Sequence, residues 1–309
     1  MRGVIFGALW LCLTVAAEPA RQLPADVPMA KDAGRGGLLV VTVRLEDGET
    51  IPMAVDTGAP LTLLDKSLAS KLGKRQGTAR VDSFYGKQNC PVYRTPKLYL
   101  GGARLMTGSN LFAYDFRKVP FGEKTHIKGI LGMDCLQHYC VQLDFAAGKM
   151  RFLNSHRLEK AGLGKAYGLM FTQDEGDIEA VSPPFIQHSG LLGGTATKTE
   201  IDTGNNMDGM AEASAIRKHA VGTYSGSTMK RVKHYLAVKG FVNKAVGDLS
   251  CVWDGNQYTD IAVSRAPSKM PSWIGLRFLA RHLVTLDFPN HLMYLKQESV
   301  GPREAKTTE

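Results

Sequence analysis

The chain has 309 residues, 44% of them hydrophobic and 22% charged, with 33 glycines. That is enough for one large domain or two ordinary ones, and too apolar for a disordered or fibrous protein. The formal net charge of +9 comes from lysines and arginines spread along the sequence instead of gathered in a run, so a solvated basic surface is expected, with no recognisable nucleic-acid-binding module.

The first residues, MRGVIFGALWLCLTVAAEPA, set Arg2 before an apolar run and then the small-residue pattern Val15-Ala16-Ala17. This reads as a cleavable secretory signal over residues 1–17, and hence as a secreted or periplasmic protein. The run is shorter than the roughly 20 residues a spanning helix needs, and no later segment is long and apolar enough, so no stable membrane insertion is expected. Residues 18–35 follow as a Pro/Ala-rich linker without apolar period, expected to be poorly ordered.

A first lobe is expected over residues 36–154. Its LLVVTVRLEDGETIPMAV is two β-rich runs around Asp47-Gly48, a strong hairpin signal. The second run ends on Asp56-Thr57-Gly58. LTLL then reads as another strand, and Asp65 as the cap of a short helix KSLASKL that Gly73 stops. VDSFYGKQNCPVYR has the form of a further hairpin with Tyr85-Gly86 at its tip. An Ile130-Leu131-Gly132 turn, a short helix and a final hairpin containing Leu143-Asp144-Phe145 complete the lobe.

Residues 155–180, polar and charged, form the expected inter-lobe linker. A second lobe is expected over 181–296. There Asp-Thr-Gly recurs as Asp202-Thr203-Gly204, AEASAIRKHAVG takes the place of the helix, and GTYSGSTMKRVKHYLAV takes that of the hairpin, with Tyr224 near its tip. Gly275 matches Gly132, Leu279 matches Leu136, and Leu286-Asp287-Phe288 matches Leu143-Asp144-Phe145 at one offset. The chain therefore reads as an internal duplication, mostly β with small helices. Asp144 and Asp287, at hairpin entrances, read as turn caps. Residues 297–309 read as a disordered tail.

Loss of the signal would leave Cys90, Cys135, Cys140 and Cys251, an even number in a chain bound for an oxidising compartment. Disulfides are expected on that ground, and the sequence does not choose among three complete pairings. The cysteine spacing is no zinc pattern and the eight histidines are scattered, so neither a metal nor a cofactor is expected.

A single strand-ending Asp-Thr-Gly could be no more than a turn whose side chains bond nearby backbone. Two copies at the repeat offset have another use, because a pseudo-twofold axis can bring equivalent acids face to face. Two carboxyls within hydrogen-bond distance cannot both ionise, so the pair supplies an acid and a base together. The ionised member can take a proton from water while the other polarises a carbonyl oxygen.

Asp-Thr-Gly-Ala-Pro, the apolar strand after it, Leu-Ala-Ser-Lys-Leu-Gly, Ile130-Leu131-Gly132-Met133-Asp134 and the LDF hairpin together resemble the retropepsin-like and pepsin-like aspartic proteases. With its repeat, the whole chain is similar to their single-chain bilobal form. The paired-carboxylate chemistry is that family's own. The resemblance implies two six-stranded β-barrel lobes with a cleft between them, a monomer with both lobes in one chain, and a polypeptide substrate. It implies Asp56 and Asp202 as the catalytic pair, Thr57 and Thr203 in hydrogen bonds beneath them, and Gly58 and Gly204 completing the loops. It further implies Gly132 and Gly275 in turns behind the acids, and Tyr85, Gly86 and Tyr224 in flaps over the substrate.

The second lobe departs from the pattern. Asn205 follows the second triplet, where its amide could donate to Asp202 or misplace the loop. Trp273-Ile274-Gly275 replaces Ile-Leu-Gly, and a polar TKTE replaces the apolar approach IPMA. A catalytically inactive relative using the same cleft as a peptide- or partner-binding module is the alternative to an aspartic endopeptidase.

Overall fold

The computed structural model describes residues 22–83, 86–118, 126–174, 179–195, 197–219, 246–266 and 270–303. In chain order its strands are β1 (Val27–Pro28), β2 (Val40–Arg44), β3 (Thr50–Val55), β4 (Leu63–Asp65), β5 (Arg75–Ser83), β6 (Gly86–Arg94) and β7 (Tyr99–Leu100). Next come β8 (Ala103–Arg104), β9 (Asn110–Tyr114), β10 (Gly129–Leu131), β11 (Cys140–Asp144), β12 (Lys149–Leu153), β13 (Lys165–Met170) and β14 (Phe185–Ile186). The series ends with β15 (Thr199–Asp202), β16 (Gly209–Ala211), β17 (Val246–Trp253), β18 (Asn256–Arg265), β19 (Ser272–Gly275), β20 (His282–Asp287) and β21 (Leu292–Gln297). The fold is mostly β, as the sequence implies, with short helices at Met133–Leu136, Ala213–His219 and Leu276–Leu279.

Among the described residues the first half forms a nine-stranded sheet in the order β5-β6-β9-β4-β10-β3-β2-β7-β8. The expected hairpin is β2–β3, and Gly48, at φ 92°, supplies the left-handed residue its turn needs. Asp65 caps the 3₁₀ helix Lys66–Lys71 by accepting from the Ser67 N–H at 3.0 Å. Gly73, at φ 74°, follows its end.

The strands around the two acids repeat one pattern. β3 lies parallel to β10, with Val55 opposite Leu131, and β10 lies antiparallel to β4. In the second half β15 lies parallel to β19, with Asp202 opposite Gly275, and β19 lies antiparallel to β16.

The final hairpins of the two halves pair with each other. β11 pairs with β20 along its whole length, Val141 opposite Leu286 and Leu143 opposite Val284. This seam makes one twelve-stranded sheet, in the order β1-β12-β11-β20-β21-β13-β14-β15-β19-β16-β18-β17. Val141, Leu143, Val284 and Leu286 are almost fully buried and belong to one hydrophobic cluster that also holds Leu39 and Ile201. Each such side chain contributes roughly 1.5–3 kcal/mol, so the seam is a core and not a hinge of loops.

Three expectations need correction. The part of the 18–35 linker that is described is bound to the fold. Val27 pairs with Met150, the Ala25 N–H donates to Gly101 O, and Val27, Met29 and Ala33 are buried. The 155–180 linker contains β13, which pairs with β21 and so continues the shared sheet. The 297–309 tail begins as structure: Gln297 closes β21 opposite His282, and the Glu298 and Ser299 N–H groups both donate to Arg281 O. In each case backbone bonds to residues distant in sequence order the segment.

The expected disulfides are not formed: none of Cys90, Cys135, Cys140 and Cys251 is in a disulfide, and all four are buried. Cys90 packs with Phe112 and Tyr114 in a smaller cluster apart from the one holding Cys135 and Cys251. Burial pushes the Cys140 thiol up to about 12 and that of Cys251 up to about 11, so both stay protonated.

Candidate active site

β3 and β15 are interior strands, and each ends by delivering an aspartate into a tight turn. The Ala59 N–H donates to Asp56 O and the Asn205 N–H to Asp202 O, both at 3.3 Å. Within each turn the acid also accepts from the glycine two residues on, Gly58 N–H to Asp56 Oδ1 at 2.8 Å and Gly204 N–H to Asp202 Oδ1 at 2.9 Å. The turn-forming role open to a lone Asp-Thr-Gly is thus filled in both halves.

The loops also bind each other. Thr57 Oγ1 donates to Ile201 O at 2.6 Å and accepts from the Thr203 N–H at 3.0 Å. Thr203 Oγ1 donates to Val55 O at 2.8 Å and accepts from the Thr57 N–H at 3.0 Å. Both threonines are 1% exposed, so these four bonds are sheltered from water and fix the loops' separation. A Cβ on Gly204 would collide with the Asp56 carboxyl, and one on Gly58 with that of Asp202. Only glycine lets each acid lie against the opposite loop.

This sets the Asp56 and Asp202 carboxyls close together, so that each acts on the other's proton affinity. Burial raises the Asp202 carboxyl well above its ordinary value, helped by the adjacent Asp56 charge and, more weakly, by Glu200. Burial raises Asp56 as well, but N–H donation from Gly58 and the side chain of Asp202 oppose it. Of the two carboxyls, Asp202 is raised the more strongly.

Gly132 and Gly275 pack against the loops that follow the acids. The Met133 N–H donates to Ala59 O at 2.8 Å, and the Leu276 N–H to Asn205 O at 2.7 Å. A Cβ on Gly132 would strike Leu61, and one on Gly275 would strike Met207. The Asn205 side chain turns to its own loop and not to the Asp202 carboxyl. Its Oδ1 accepts from the Met207 N–H at 3.0 Å, closing a turn of its own.

Gly86 opens β6 at φ 111°, and Ser83 donates to Gly86 O at 3.0 Å and bonds Tyr114 OH at 2.9 Å. Tyr85 and Tyr224 lie outside the described residues. Asp144 caps its turn through the Ala147 N–H at 2.8 Å, whereas Asp287 bonds Ser155 and Asn290. Among the described residues no group of three His, Cys, Asp or Glu is disposed to hold a metal ion, and no helix is long and apolar enough to cross a membrane.

One supporting cluster escaped the sequence reading. Behind the second loop Asp208, 0% exposed, accepts from the Ala262 N–H at 2.7 Å and Arg281 Nη2 at 2.9 Å and also pairs with Arg277. At the matching place in the first half, Thr62 Oγ1 donates to Asp134 Oδ1 at 2.7 Å and accepts from the Gly132 N–H at 3.2 Å. The acid has changed sides, from the helix to the loop strand, and Arg277 stands where Asp134 would be. That exchange between repeat positions was the signal available in the sequence.

Residues 41–135 match the family model described as Aspartyl protease. The stretch runs from β2 into the helix after Gly132 and contains Asp56, Thr57 and Gly58. Over that stretch the chain is similar to the aspartyl protease family, in agreement with the mostly β fold. No curated protein matches the chain.

Proposed function

We propose that the chain is an exported aspartic endopeptidase, built from duplicated lobes at 36–154 and 181–296 behind a signal at 1–17, with Asp56 and Asp202 as its catalytic pair. The observation that supports this reading is the close approach of the two carboxyls across loops held by the reciprocal threonine bonds. A binding module would have no need of two buried acids brought together at the meeting point of its halves.

In this reading Asp56, ionised, takes a proton from a water that attacks the amide carbon, while Asp202 gives its proton to the carbonyl oxygen. The tetrahedral diol then collapses. Asp56 passes its proton to the departing nitrogen as the C–N bond breaks, and a hydroxyl proton returns to Asp202. No covalent enzyme intermediate forms. Both acids come from one chain, so a monomer suffices.

The test is cleavage of an unfolded protein by residues 18–309 between about pH 3 and pH 7, beside Asp56→Asn and Asp202→Asn. Cleavage by the wild type that either substitution abolishes supports the proposal. A folded wild type as inert as both variants overturns it and leaves the peptide-binding module.

A further inference from the structure

Glu200 occupies the place that Ala54 holds in the first half, within the polar approach TKTE, and nothing in the proposed chemistry uses it. It lies two residues before Asp202 on β15, so the two side chains leave the strand on one face. Its charge acts on Asp202. Phe185 and Trp273 stand directly opposite Glu200 on the flanking strands, and that face of the sheet borders a cavity of about 840 Å³ lined by Glu200, Phe185, Ala213, Met270 and Pro271. Its size is in the range of small-ligand sites.

The cavity carries other charges, and their placement decides which of them recognises a ligand. Lys198 lies with Nζ 3.8 Å from the centre of the Phe185 ring, and Arg217 and Arg265 also line the space. All three cations are exposed, where solvent and salt screen them. Glu212 is occupied by Thr195 and Ser214. Glu200 is half-buried between aromatic neighbours and makes no ion pair among the described residues. Burial opposes its ionisation, and the nearby Lys198 charge favours it. A long cationic side chain could lay its methylenes on Phe185 and Met270 and bring its head to the carboxylate.

We propose that this cavity is the subsite for a lysine or arginine of the substrate, next to the bond to be cut, and that Glu200 is the residue that selects it. The proposal rests on the protease reading for its link to catalysis, but not for the binding itself.

The test scans a peptide that wild-type protein cleaves, placing lysine, its uncharged isostere norleucine, or glutamate at each position flanking the bond. Lysine should exceed norleucine in kcat/KM at one position by on the order of tenfold, equivalent to about 1.4 kcal/mol, and the ratio should fall to near one in Glu200→Gln. In the wild type the ratio should grow as pH rises, because burial holds the Glu200 carboxyl above its ordinary range and only its ionised form attracts a cation. That pH dependence needs no variant to fold. In parallel, the same peptides are titrated into Asp56→Asn protein with and without Glu200→Gln.

Cleavage without a lysine preference, a preference for glutamate, or a lysine preference that survives Glu200→Gln at every pH overturns the subsite and leaves the protease reading intact. Glu200-dependent binding of lysine peptides without cleavage by the wild type supports the subsite and overturns the protease. Absence of both cleavage and binding overturns both.

Discussion

Thr57 and Thr203 bind each other's main chain reciprocally, each hydroxyl accepting the other's N–H at 3.0 Å. Thr57→Val keeps the shape but leaves the buried Thr203 N–H without a partner and removes the bond to Ile201 O. An unsatisfied buried group costs about 1–3 kcal/mol, so the expected loss is about 2–4 kcal/mol in urea unfolding. Thr57→Ser retains the hydroxyl and should lose under about 1 kcal/mol. Equal losses for the two variants would mean that packing of the methyl group, and not the exchange of bonds, joins the loops.

Asp202 should make the fold less stable as pH rises. Its folded carboxyl titrates well above the unfolded value of 3.8, so between those points the folded state binds more protons, and stability falls with increasing pH. Asp202→Asn removes the titration. Its melting temperature should exceed that of the wild type by a few degrees at neutral pH, and the difference should disappear toward about pH 3. A constant difference at all pH values would count against the raised Asp202 carboxyl.

His282 acts in the opposite direction. Tyr258 OH lies 2.8 Å from Nε2, Nδ1 lies 3.1 Å from Phe278 O, and burial lowers the imidazole to about 4 from 6.5. The folded state therefore binds fewer protons than the unfolded chain, and this stability is complete above about 6.5 and is lost as pH falls through about 4. His282→Gln should flatten that acid limb in thermal melts recorded from pH 7 to pH 4.

Asp208 holds two arginines that are themselves buried, Arg281 at 0% and Arg277 at 6% exposure. Asp208→Asn removes the charge and should cost about 3–5 kcal/mol in denaturant unfolding, the usual penalty for breaking a buried ion pair from one side. Activity per folded molecule should fall too, because Asp208 O receives the Gly275 N–H at 2.8 Å behind the second acid.

The strand Val27–Pro28 lies on the edge of the shared sheet, and the segment around it touches both halves: Met29 N–H donates to Gly148 O, and Asn206 Nδ2 donates to Gly36 O. A chain begun at Gly36 should be less stable by about 3–6 kcal/mol, from the lost burial of Val27 and Met29. It should show no gain in proteolysis. An increase on truncation would identify the segment as an inhibitor instead of a strap.

The sequence made the acids and their turns legible because each depends on local chemistry: Asp47-Gly48 for the hairpin, Asp65 for the helix cap, and Asp56 and Asp202 at the ends of β-rich runs. Gly132 and Gly275 were found through the repeat, since each must admit a neighbouring backbone. The segments read as linker and tail were misjudged because Val27 and Gln297 are ordered by partners far away in sequence, Met150 and His282. A two-residue strand has no period to detect. The Asp208 cluster was overlooked because comparison of the repeats sought identical residues, and here an acid and its partner had moved to opposite positions.

The pairing of β11 with β20 joins the halves through main-chain bonds and a common apolar face, while Thr57 and Thr203 join them a second time. Two separately synthesised fragments, divided in the loop between β12 and β13, would each carry one edge of this seam. The seam is thus a template for fragment complementation, and neither fragment alone could assemble the acid pair.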